Sequence, residues 1–115
     1  MIKENFNFIK GDTFTKGFII KNLTIDIDEI YFTVKEKSTD KNPVLQKRLN
    51  EGIKKDPNIE NRYVLNIDAN DTNKLKTKYN YVFDIEIISA DYKKTIIGGY
   101  LTLKDWDITS KVNEV

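Results

Sequence analysis

Apolar residues recur along this chain at every second position, the spacing of strands that bury one face. In "ENFNFIK" Phe6 and Phe8 share a face. In "TFTKGFIIK" Phe14, Phe18 and Ile20 do the same, with Lys16 on their side. "EIYFTVKEK" sets Ile30, Phe32 and Val34 against Tyr31, Thr33 and Lys35, and the first set reads as core. "PVLQKRLN" is shorter and more charged, which suits an edge strand. "RYVLNID" offers Tyr63, Leu65 and Ile67. "KYNYVFDIEIIS" is the clearest element: Tyr79, Tyr81, Phe83, Ile85 and Ile87 oppose Asn80, Val82, Asp84, Glu86 and Ile88. "KTIIGGYLTLKDW" closes the series. Gly98-Gly99 reads as a bulge in it, with Leu101 and Leu103 following Ile97 into the core.

Turn signals separate these runs. Asp26-Ile27-Asp28-Glu29 precedes the third strand, "STDKNP" ends in Pro43, and "EGIKKDPNIEN" connects residues 51–61. Ala90-Asp91 is a tight hairpin. "DANDTNKLKT" is the one helical-looking piece, a single turn around residues 70–76 capped by Asn70 or Asp71, with Leu75 facing inward. With no amphipathic helix of ten or more residues, a parallel βαβ sheet has no crossover to use. The pattern predicts one all-β domain over 1–115, an antiparallel two-sheet sandwich of about seven strands. Tyr79 or Tyr81 is placed to make a tyrosine corner, its ring in the core and its hydroxyl on nearby backbone.

Composition removes chemistry more than it adds any. The chain has no Cys and no His. Disulfides, thiol catalysis and Cys-ligated zinc are excluded, and the commonest general base and metal ligand are missing. Nineteen basic residues balance eighteen acidic ones, and Arg48 and Arg62 are the only arginines. Neither a basic face nor bidentate phosphate contacts are expected, so nucleic acid is not a predicted partner. The N-terminal "MIKENFNFIK" lacks the apolar run of a signal peptide, and no stretch approaches the ~20 residues of a membrane span. The expected setting is the cytosol of the producing cell, without a membrane partner.

Four groups remain as candidate chemistry. Asp68, Asn70, Asp71 and Asn73 begin like a calcium loop, but its sixth position is Asn73 and its twelfth Tyr79, so a capped helical turn is the better reading. Asp26, Asp28 and Glu29 form an acidic turn. Asp84 and Glu86 share a strand face, where Lys93 or Lys94 can pair with them across the hairpin. Ser38, Ser89 and Ser110 have no base beside them. No catalytic residue, cofactor or metal site is therefore predicted. Tyr31, Tyr63, Tyr92 and Tyr100 suit surface contacts with sugar or protein. Trp106 either plugs the end of the sandwich or anchors a neighbour. Lys10-Gly11-Asp12 reads as a break between two short strands. Gly11 takes an unusual backbone angle there, and the side chain of Asp12 or Thr13 caps the turn.

The order of these segments resembles the N-terminal Ig-like domain of bacteriophage baseplate upper proteins and related small virion proteins of tailed phages. Gly11, Asp12 and Thr13 match its start, and Phe32, Val34 and Lys35 its "F-x-V-K" strand. Asp71, Thr72 and Leu75 match its helical turn, and Tyr79, Tyr81, Asp84 and Ile85 its signature strand. Gly99, Leu101, Leu103, Ile108 and Thr109 match its close. Where the family carries Gly before the tyrosine of the fifth strand, this chain has Asn61-Arg62, and Asn also tolerates positive φ. The resemblance implies an Ig-like sandwich and a non-enzymatic structural role in the virion, in the tail or baseplate or as a decoration protein on the capsid. It implies other virion proteins, such as tail or capsid subunits, as partners, and a homo-oligomer as one arrangement. Trp106, Tyr100 and Tyr92 are the expected contact residues. A carbohydrate- or host-surface-binding module is the rival reading.

Overall fold

The computed structural model describes residues 1–21 and 26–105. Nine strands and one short helix follow one another: β1 (Ile2–Lys3), β2 (Phe6–Ile9), β3 (Phe14–Ile19), β4 (Glu29–Lys35), β5 (Leu45–Leu49), β6 (Gly52–Lys55), β7 (Arg62–Ile67), α1 (Ala69–Asn73), β8 (Tyr81–Ser89) and β9 (Tyr92–Lys104). They form a single hydrogen-bonded path, β1-β9-β8-β4-β5-β6-β7-β3, with β2 also on β9. The all-β class is as expected, but the sheet is mixed. Strands β1 and β2 run parallel to β9, and β5 runs parallel to β6, while the remaining pairs are antiparallel. The first strands pair with the last one and not with their neighbour β3, one of the two departures from the antiparallel pattern.

The sheet curls until its ends meet. Phe6 of β2 stacks on Phe83 of β8 at 4.2 Å and lies 5.0 Å from Phe14 of β3, and Phe8 stacks on Phe14 at 4.5 Å. One core results, with Ile30, Phe32, Val34, Leu65, Ile67, Ile85, Leu101 and Leu103 fully buried. These residues are the alternate positions of their strands, so the period-two pattern and the inward face coincide. Each such side chain contributes about 1.5–3 kcal/mol relative to an exposed one.

Four local expectations are corrected. Segment 51–61 is not all connection: β6 lies within it, because Ile53 is fully buried against β7. β5 is not a terminal edge but joins β4 to β6, the latter through only two residue pairs. The bulge falls opposite Ile85 and Glu86, which pair with Ile97 and Thr95 and leave Ile96 as the extra residue. Gly98 and Gly99 stay in register. Gly99 serves another need, since a Cβ there would lie 2.0 Å from the Glu4 carbonyl oxygen. Finally, the helix cap is Asp68. It accepts from the Asp71 backbone N–H, while the Asp71 carboxylate accepts from the Asp68 N–H, a reciprocal capping box.

Two half-buried lysines occupy inward positions. Lys16 of β3 pairs across to buried Leu65, and Lys47 of β5 to buried Phe32. Each ends on an acid: Lys16 on Glu4, between β1 and β2, and Lys47 on Asp71 of α1 at 2.7 Å. The first pair fastens the seam between the N-terminal strands and β3. The second fastens α1 over the corner where β5 passes into β6, and Gly52 leaves room there for the Lys47 stem. An inward charge also makes terminal strand β3 a poor template for further pairing.

Candidate functional site

The Gly11-Asp12-Thr13 stretch forms a turn closed by Asp12 N–H on the Ile9 carbonyl. Gly11 sits at φ 93°, as its backbone role required. The side-chain cap comes from α1, not from Asp12 or Thr13, both of which are exposed. Gly11 N–H donates to the Thr72 hydroxyl at 2.9 Å, and that hydroxyl reaches the carbonyls of Ala69 at 3.1 Å and Asp12 at 3.3 Å. Thr72 is fully buried, and Asp71 beside it is held by Lys47. The backbone N–H of Asp71 holds the Asp68 carboxyl below its ordinary value. The carboxylates of the calcium-like stretch are thus committed to a cap and an ion pair. This cluster positions the chain between β2 and β3 against α1.

The acidic turn at 26–29 is likewise engaged. Asp28 accepts from the Ala90 N–H at 2.8 Å, and the Ser89 hydroxyl donates to the Asp26 carbonyl, so the turn braces the β8–β9 hairpin. Among the described residues no group of three or more acids gathers as a metal cluster would require. Tyr81 is buried and its hydroxyl accepts from the Lys76 N–H at 2.8 Å, the tyrosine-corner arrangement. Tyr79 packs against it at 4.7 Å and donates to the Glu36 carbonyl. Tyr63 stacks on Phe18 inside the core and is no surface contact.

A groove of about 970 Å³ opens on the outer face of β9, β8, β4 and β5. Its floor is the outward set of alternate residues: Thr33 and Lys35 of β4, Val82, Asp84 and Glu86 of β8, and Gly98 of β9. Met1, Lys3, Glu4 and Asn5 build one wall, and Ser38, Lys41 and Pro43 the other. Asp84 is half-buried, and no hydrogen bond or ion pair to it is found among the described residues. Burial pushes its carboxyl up from the ordinary value, Glu86 adds to this, and Lys35 partly opposes it. Glu86 meets Lys93 at 3.9 Å, the hairpin partner anticipated from sequence.

Of the expected contact residues, Tyr100 stands at the groove and is 53% exposed. Tyr92 is exposed at the other end of β9. It pairs with Ser89, on the inward set of β8, whereas Tyr100 pairs with Val82 on the outward set. The bulge at Ile96 separates them onto opposite faces, so they do not form one patch. Trp106, Ile108 and Thr109 lie outside the described residues. Sequence reasoning overlooked Lys47 and the N-terminal wall. A lone lysine between Leu45 and Leu49 at apolar spacing was the available signal for the first. No protein-family model matches the chain, and no curated protein aligns with it.

Proposed function

We propose that this chain is a non-enzymatic docking module of a tailed-bacteriophage particle, an Ig-like domain that seats a neighbouring virion protein on its outer face. Strand order supports the Ig-like reading. The segment β9-β8-β4-β5 corresponds to the G-F-C-C′ layer of such a domain, and β6-β7-β3 to the D-E-B layer. The helical turn between β7 and β8 and the hydroxyl of Tyr81 fall where an Ig-like domain carries its tyrosine corner. The observation that carries docking is the walled groove on the first layer, which is lined by side chains of both charges and flanked by exposed Tyr100. The polar clusters elsewhere are consumed by turns and seams, which supports a scaffold over an enzyme.

Sugar binding is the weaker reading. Tyr92 and Tyr100 are about 26 Å apart along β9 at the ordinary strand rise and face opposite ways, so they cannot stack on one saccharide. The test is quantitative mass spectrometry of purified particles from the encoding phage. The chain is expected in fixed stoichiometry with tail or major capsid protein: hundreds of copies for a capsid role, and at most dozens for a tail role. Its absence from washed particles would overturn the proposal.

A further inference from the structure

The outer groove has a charge arrangement that says what can occupy it. Its floor carries Asp84 and Glu86 two positions apart on β8, with Gly98 across from Asp84 on β9 and Thr33 across from it on β4. Neither neighbour offers a cation. Lys35 and Lys93 approach from the ends of the pair, and Lys93 is held at 3.9 Å from Glu86. Lys3 and Lys41 belong to the two walls. Asp84 and Glu86 therefore lie on the floor, Asp84 half-buried with Lys35 beside it on β4, while Lys3 and Lys41 stand on the walls and the wall acid Glu4 is taken up by Lys16.

We propose that the groove takes an extended segment of a partner protein whose arginine or lysine side chain descends onto Asp84, with partner carbonyls or carboxylates meeting the rim lysines. The inference rests on the reading of this face as the docking surface, but not on the partner's being a virion protein. A planar guanidinium suits the site better than an ammonium, because Asp84 can accept two parallel hydrogen bonds while Glu86 shares the charge. The small floor residue Gly98 leaves room for the incoming stem, although the Met1 side chain lies over it and must move aside: its sulfur is 3.0 Å from where a Gly98 Cβ would be. Truncating one partner of a desolvated charge pair at an interface weakens binding by tenfold or more. Exposed rim lysines contribute much less.

The experiment is a positional array of immobilised heptapeptides, randomised except for a central Arg, Lys, norleucine, Gln or Glu, probed with the full chain and with Asp84→Asn. Central Arg should retain at least tenfold more protein than norleucine or Glu, and Asp84→Asn should remove that preference. Asp84→Asn sits on the outer face, and an unchanged unfolding midpoint or a raised one establishes that it is folded. No preference for a basic centre, or a preference that survives Asp84→Asn, overturns the inference. Incorporation into particles separates it from the broader reading. If the chain is a stoichiometric particle component and Asp84→Arg still incorporates normally, the groove is not the contact while docking stands. If the wild-type chain is absent from particles, the virion role fails whatever the array shows.

Discussion

Replacing Thr72 with valine keeps the volume of a fully buried side chain and removes one hydroxyl. That hydroxyl accepts from the Gly11 N–H at 2.9 Å, and its single hydrogen goes to Ala69 or Asp12. Valine leaves the Gly11 N–H with no protein partner among the described residues. Leaving one such donor unpaired costs about 1–3 kcal/mol. At about 4 °C per kcal/mol for a domain of this size, the melting temperature should fall by roughly 4–12 °C. Thr72→Ser retains the hydrogen bonds and loses one methyl group, a cost of about 1 kcal/mol. Chemical denaturation gives the stability difference, and amide hydrogen exchange gives the local readout. Gly11 should exchange faster in Thr72→Val than in Thr72→Ser, even where the two have similar global stability. A valine variant within about 0.5 kcal/mol of wild type, with Gly11 still protected, would refute the claim that α1 holds this turn.

Other expectations follow from the seams and the groove. Gly99→Ala should lower stability by about 1–3 kcal/mol and loosen exchange in β1 and β2, because its methyl meets the Glu4 carbonyl; Gly98→Ala, which meets the flexible Met1 side chain, should cost far less. Lys47→Met leaves the nearly buried Asp71 carboxylate without its cation and should cost about 3 kcal/mol by urea titration. Asp84 has a raised carboxyl in the folded state, so its charged form works against folding above that value, and stability is gained as pH falls through it. Asp84→Asn should therefore be at least as stable as wild type at pH 7. The difference should vanish below the ordinary carboxylate range, and a variant less stable at neutral pH would contradict the burial argument.

Strand positions were legible wherever burial is one-sided. Ile30, Phe32 and Val34, or Phe83, Ile85 and Ile87, announce both the strand and its inward face. Gly11 was legible because glycine at a break between strands has few other uses, and Asn61, a residue type that tolerates positive φ, sits at φ 59°. Strand β6 was hidden because its inward side is a single residue, Ile53, in a charged run. Partners are harder to read than strands. That β2 joins β9, or that Lys47 meets Asp71, depends on how the sheet curls, and no local pattern encodes it. Gly98-Gly99 carried two possible meanings, and only the path of Glu4 and Asn5 decides between a bulge and a close approach. For the groove, the alternation of Asp84 and Glu86 was visible, but its walls come from residues remote in sequence.

Pairing of the first strands with the last bears on how the chain is made. Phe6 and Phe8 leave the ribosome long before their hydrogen-bonding partners, Leu101 and Leu103. Until then the slot that Phe6 fills between Phe14, Phe32 and Phe83 has no backbone to hold it. The N-terminal arm must wait beside the nascent sheet and lock last. Such long-range closure slows folding. It also makes the finished domain sensitive at its beginning to whether its end has been completed.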